Sequence, residues 1–204
     1  MLRTILVTVI LALVLLAALS MMGSLATSHA TTSLALSAGA VPPTSVASRG
    51  GVSSSSSILG RPSLSVAFVN RVLSAYHSPA VGLGSVLYAD SLTYGIDDVS
   101  PLAFFLHESS MGNAGWAAVN HSLGNIRCTA GWSCSGGYRS YATWADGFHD
   151  WFSLISTEYL PRHLSTVETI IPVYAPSADH NDERGYIAAV LSAVSAWRTG
   201  RVLV

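Results

Sequence analysis

The 204-residue chain contains no lysine, sets ten arginines against eleven acidic residues, and has no block of like charge. Without a basic patch to neutralise phosphates, nucleic-acid binding is set aside. Schiff-base chemistry on a lysine is excluded outright. No sequence period of about 20 to 50 residues recurs, so repeat architectures are excluded as well. Cysteine is limited to Cys128 and Cys134, and no Asp or Glu occurs between Gly112 and Ala145. That second gap matters for any chemistry requiring two carboxylates.

What the chain has in quantity is apolar surface, much of it at the start. From Ile5 to Met22 only Thr8 and Ser20 interrupt an apolar run, Arg3 precedes it, and Ser28-His29-Ala30 follows. A positive start, a hydrophobic middle and a small-x-small site make residues 1–30 a signal peptide, with an uncleaved membrane anchor as the competing reading because the run approaches bilayer-spanning length. Either way the remainder is expected to be exported, secreted or held at the cell surface. Residues 31–60 are Ser, Thr, Ala and Gly with Pro42-Pro43 and the run Ser53 to Ser57. Such a segment buries too little apolar area to offset its ordering entropy and reads as a flexible linker.

Residues 61–204 carry the periodicity of one folded domain. Leu64, Phe68, Val72 and Tyr76 recur every fourth residue, predicting a helix that ends before Pro79. Ser78-Pro79 predicts the cap and first turn of a second helix, with Gly95 as its left-handed exit. Ser100-Pro101 repeats the signal and opens an apolar helix through Glu108. From Gly112 to Tyr141 glycine, serine and aromatic residues replace helical spacing, which predicts hairpin and loop. Helical spacing returns over Trp144, Phe148, Trp151, Phe152, Ile155 and Tyr159. Ser165 to Glu168 resembles a capping box opening a brief helix limited by Pro172, and Tyr186, Val190, Val194 and Trp197 mark the last helix. The expected class is α+β, mostly helical, with one small β insertion.

Glu108 is the most informative residue. A carboxylate among Phe104, Phe105, Leu106 and Met111 loses hydration, so its pKa should rise. A carboxylic acid still protonated near neutral pH suits glycosidic cleavage, in which the departing oxygen takes a proton. The plainer alternative is a helix-end glutamate facing solvent or paired with an arginine. Cys128 and Cys134, six positions apart, suit a disulfide in an exported hairpin. A cysteine nucleophile would need a partnered histidine. No metal is expected, since His107-Glu108 lacks a second histidine at helical spacing.

Four segments also carry a resemblance: Leu106-His107-Glu108-Ser109-Ser110-Met111-Gly112, Gly124-Asn125-Ile126-Arg127, Tyr138-Arg139-Ser140-Tyr141 and Val173-Tyr174-Ala175-Pro176. In this order and spacing the chain resembles the bacterial glucosaminidase (endo-β-N-acetylglucosaminidase) family of the lysozyme-like superfamily, over about Arg61 to Arg198. The resemblance implies a lysozyme-like fold with a small β-lobe and a cleft that cleaves the bond after N-acetylglucosamine in peptidoglycan. It implies Glu108 as the catalytic acid and Tyr174 as the cleft tyrosine beside it, where a packed aromatic is the plainer reading of Tyr174. Ser109, Asn125, Arg127 and Tyr141 are the substrate-binding residues it implies. Asn125 suits sugar hydroxyls or an acetamido group, but Gly-Asn is also turn chemistry.

Family members with a second acid place it in the β-lobe, where this chain has none. Asp146, Asp150 and Asp179 are the candidates by chain position, though Asp146 and Asp150 suit the solvated face of a helix. Alternatively the substrate's own N-acetyl oxygen attacks the anomeric carbon. No cofactor is expected, and the expected partner is a peptidoglycan glycan strand bound by a monomer, with membrane contact only through an uncleaved N-terminus. A lytic transglycosylase, a lysozyme-type muramidase, a non-catalytic wall-binding module and a cysteine peptidase are the rival functions.

Overall fold

The computed structural model describes residues 56–204. The signal or anchor segment (1–30) and most of the linker (31–55) lie outside the described residues. The linker's last residues belong to the folded part, against expectation. Ile58 is fully buried, its N–H donates to the Ser165 carbonyl at 3.0 Å, and its carbonyl accepts from Asp97 N–H at 2.9 Å. One buried isoleucine and a set of paired backbone groups tie down a segment that composition alone reads as loose.

Helix α1 (Val66–Ala75) opens on Ser65, whose hydroxyl accepts from Phe68 N–H, and buries Phe68, Val69, Val72 and Leu73. Helix α2 spans Gly84–Tyr94 and exits through Gly95 at φ +67°, as predicted. Its start is later than predicted. Ser78 accepts from Ala80 N–H and donates to the Met111 carbonyl, stabilising a turn over 79–83, while Asn70 of α1 accepts from Gly84 N–H. Helix α3 (Val99–Ser109) begins before Ser100-Pro101 and buries eight of its residues, from Val99 to Phe105 and Ser109. Asp98 precedes it, but the Asp98 carboxylate is spent on the N–H groups of Ser63 and Leu64. Asp97 accepts from Ser63 and from Arg198 near the chain's end.

Glycine-rich spacing from Gly112 to Tyr141 conceals one short helix, α4 (Ala117–Asn120), before the hairpin of β1 (Cys134–Ser135) and β2 (Tyr138–Arg139), paired antiparallel. Gly136 and Gly137 connect the strands, both at positive φ as a two-residue mirror-image turn demands. Cys128 and Cys134 form a disulfide across the base of this region.

Helix α5 (Trp144–Leu154) opens with a Thr143–Asp146 capping box and continues as a π-helical turn over Ile155–Tyr159. Helix α6 (Val167–Tyr174) has its capping box between Thr166 and Thr169, one residue beyond the expected Glu168. Pro172 sits inside α6 and does not end it. The proline deprives the carbonyl four residues back of its donor, but Glu168 is exposed, so water can take that carbonyl. Helix α7 (Glu183–Arg198) buries Tyr186, Val190, Val194 and Trp197, as its spacing predicts.

Helix α3 packs against α7, α2 against α5, and α6 against α7. Phe105 stacks on Phe148 with ring centroids 5.3 Å apart, and Phe104 meets Trp151 at 5.4 Å. All four rings are fully buried, each contributing roughly 1.5–3 kcal/mol of transfer free energy or somewhat more for tryptophan. No helix among the described residues is long and apolar enough to cross a membrane. The observed fold is therefore mostly helical with a two-stranded sheet. Its apolar centre presents the end of α3, and Glu108 with it, to the hairpin.

Candidate active site

The chain leaves α3 through three successive left-handed residues, Ser110, Met111 and Gly112 at φ +49°, +62° and +88°. For residues other than glycine this conformation is disfavoured by about 1–2 kcal/mol each. It persists because Met111 is fully buried and Ser109 Oγ accepts from Gly112 N–H at 2.8 Å. Ser109 Oγ also donates to the Leu123 carbonyl at 2.8 Å. The hydroxyl thus pins the helix end to the loop before Asn125. Ser109 is buried at 1% exposure and does not line the cleft, so its expected substrate contact is corrected to a structural one.

Glu108 lies at a cleft of about 420 Å³ lined by Asn125, Arg127, Thr129, Tyr138, Arg139, Tyr159, Tyr174 and Tyr186, among others. That is within the range of small-molecule sites. Burial lifts the Glu108 carboxyl from its ordinary 4.5 to about 7, against opposing hydrogen bonds from Tyr186 and Asn125. The Tyr186 hydroxyl donates to Glu108 Oε1 at 2.6 Å, and Asn125 Nδ2 donates to the Glu108 backbone carbonyl at 2.7 Å. Asn125 is itself left-handed at φ +46°, which suits the Gly-Asn turn reading, yet its side chain stands in the cleft beside Glu108. Turn and site are here the same residue.

Tyr174, at the last residue of α6, donates its hydroxyl to the Gly124 carbonyl. A Cβ at Gly124 would lie 2.6 Å from Trp151 Cδ1 and 2.9 Å from the Tyr174 hydroxyl, so only glycine lets these rings approach. Burial holds the Tyr174 and Tyr186 hydroxyls well above their ordinary pKa, and pushes Tyr159 up to about 12. The three phenols around Glu108 therefore remain neutral donors across the whole working range of pH. Tyr159 and Leu154 both line the cleft although five residues apart. An α-helix would turn them to different sides, and the π-helical turn is what brings both round.

Tyr141 does not line the cleft. Its hydroxyl donates to Asp150, whose carboxylate also takes two bonds from Arg139 Nη1 at 2.9 and 3.1 Å. Tyr141 is thus corrected from sugar contact to support of the hairpin. Asp150 is correspondingly buried and not on a solvated helix face, while Asp146 is spent on capping. Arg127 lines the cleft, but its guanidinium is held at 2.9 Å by Asp179, both side chains being exposed. Among the described residues, Glu108 is the sole carboxylate lining the cleft. No three His, Cys, Asp or Glu side chains among them converge as a metal site. Both cysteines are disulfide-bonded, leaving no thiolate for nucleophilic attack.

Sequence reasoning missed both Tyr159 and Tyr186 as cleft residues, and Tyr186 is the one that bonds Glu108. The helical spacing of Tyr186 assigns it to the core, where 97% of its surface is indeed hidden, and only its need for a hydroxyl partner hints at more. His107 stacks on it with centroids 3.8 Å apart. Removing its donated bond by Tyr186→Phe takes away a group that favours the charged carboxylate. The Glu108 titration midpoint, followed by carboxyl-carbon NMR, should then move further up. A midpoint that stays put or falls would show that the bond does not govern Glu108.

No protein-family model matches the chain, and no curated protein matches it.

Proposed function

We propose that the protein is an exported peptidoglycan glycosidase with a lysozyme-like fold, cleaving the β-1,4 bond after N-acetylglucosamine with Glu108 as general acid. The observation that carries this reading is a single carboxyl, lifted to about 7, in a polar cleft among neutral tyrosines. Such a group holds a proton at neutral pH and can pass it to the departing glycosidic oxygen. The four motif segments that resemble bacterial glucosaminidases support the same reading, and three of them contribute lining residues besides Glu108's own helix end. The Cys128–Cys134 disulfide agrees with an oxidising compartment outside the cell.

With no second carboxylate lining the cleft among the described residues, attack on the anomeric carbon falls to the substrate. The N-acetyl oxygen at the sugar's second carbon is the intramolecular nucleophile, and water then opens the resulting ring. Tyr174, its hydroxyl donated to the Gly124 carbonyl, and Asn125 line the space beside Glu108 in which that group would lie. The lone carboxylate equally suits a lytic transglycosylase, in which the muramic acid hydroxyl closes on its own ring and no water is taken up. Mass spectrometry of digested peptidoglycan separates the two. Reducing N-acetylglucosamine ends are the expected product. Anhydromuramic ends would transfer the assignment to transglycosylation, and reducing muramic acid ends would make the enzyme a muramidase.

A further inference from the structure

Seven residues from Cys128 to Cys134 form a disulfide-closed loop of small residues with one large side chain, Trp132. Trp132 takes no part in the hydrophobic core and remains 43% exposed. Its position is nonetheless closely built. The Arg139 guanidinium lies 4.3 Å from the ring centroid, and Tyr141 meets the ring edge-on at 6.0 Å. Arg139 is 8% exposed and cannot wander, being fixed by Asp150 and by a 2.9 Å bond to Thr129. Two of these supports, Arg139 and Thr129, are also walls of the Glu108 cleft.

A flat apolar face, held beside a polar cleft by Arg139 and Tyr141, matches the C–H face of a pyranose whose hydroxyls point outward. A single side chain is by itself too small for a protein interface, which needs a contiguous apolar patch. We propose that Trp132 is the platform for a further sugar ring of the bound glycan, outside the sugars held by the Glu108 cleft itself. The inference rests on the glycan-cleaving reading above. It adds that the hairpin selects for longer strands, and that the disulfide keeps the platform in register with the cleft.

The test is calorimetric binding of peptide-free peptidoglycan glycans, one sample of disaccharide and one of long strands, to the full chain carrying Glu108→Gln so that the strands stay intact. Adding Trp132→Ala should weaken long-strand binding roughly fivefold to tenfold, the scale of one aromatic contact, and leave the disaccharide unchanged. Trp132→Tyr should restore most of the affinity and Trp132→Leu, apolar but not flat, should not. Melting temperatures identify any variant that fails to fold, in which case the Tyr and Leu variants decide between them. Equal affinity of the Ala and Trp132 proteins for long strands overturns the platform, as does equal weakening for both lengths. If neither glycan binds even with Trp132 present, the platform and the glycosidase reading fall together.

Discussion

Replacing Glu108 by glutamine is expected to cut peptidoglycan digestion by about 10²- to 10⁴-fold, the usual contribution of a general acid. The amide keeps the shape of the side chain, and its oxygen still accepts from Tyr186, so the cleft should survive intact. What it lacks is the proton that burial retains on the carboxyl up to about pH 7. A variant that digests wall as fast as the parent removes Glu108 from the chemistry and overturns the general-acid reading, whereas a parent that digests nothing would leave a binding module as the better reading. Turnover of soluble glycan strands, followed by reducing ends, measures this directly.

The same substitution should make the protein more stable at high pH. In the unfolded chain Glu108 titrates near its ordinary 4.5, and in the folded protein near 7. Between those values the folded state keeps a proton that the unfolded state releases, so stability falls as pH rises through the window and the loss is complete a little above it. At ~1.4 kcal/mol per pH unit the penalty is about 3–4 kcal/mol. Glutamine never ionises. Chemical unfolding at about pH 8 should therefore find Glu108→Gln the more stable protein by up to that amount, and at about pH 4 nearly equal to the parent. Gain of stability with loss of activity marks a residue held in a poor environment for its function. If both measurements move the other way, the carboxyl is a structural partner and not a retained acid.

Glu108 was legible because one acidic letter stands among Phe104, Phe105, Leu106 and Met111, and apolar neighbours in a helix remain neighbours in space. The last helix was legible for the same reason, its buried positions recurring at helical spacing. Local pattern carried no information about what meets Glu108 from afar. Tyr186 is 78 residues away and looks like any core aromatic, so its bond to the acid depends on the packing of α7 against α3. Asp150 misled in the opposite sense. On a helix with Trp151 and Phe152 as neighbours a polar position reads as solvated, whereas the hairpin folds over it and supplies Arg139. Ser109 and Tyr141 stand in the right motifs, but their hydroxyls are turned to backbone and to Asp150. A motif fixes identity along the chain, and only the fold decides which way each side chain turns.

Breaking the Asp150–Arg139 pair is the second large effect expected. The two side chains are 6% and 9% exposed, and they join α5 to a hairpin whose strands are two residues long. Asp150→Ala would strand the Arg139 guanidinium in a buried site with Thr129 as its remaining partner and leave the Tyr141 hydroxyl without an acceptor. Removing one member of such a pair destabilises by about 3–5 kcal/mol, mostly through the charge left uncompensated. Replacing the network together, with Asp150→Leu, Arg139→Met and Tyr141→Phe, leaves no orphaned polar group and should recover most of that loss. A loss for Asp150→Ala no larger than the ~0.5 kcal/mol of an ordinary surface change would mean that the hairpin is held by its disulfide alone. Hydrogen exchange locates the damage: amides over 126–139 should lose protection before those of α3 and α7. The activity loss also differs in kind from that of Glu108→Gln. Because Asp150 lies behind the cleft wall and not in it, digestion by Asp150→Ala should follow the folded fraction and return on cooling, while Glu108→Gln stays inactive wherever it is folded. A folded Asp150→Ala that is equally inactive at low temperature would instead show that the Arg139 wall, which Asp150 holds in place, is needed for digestion.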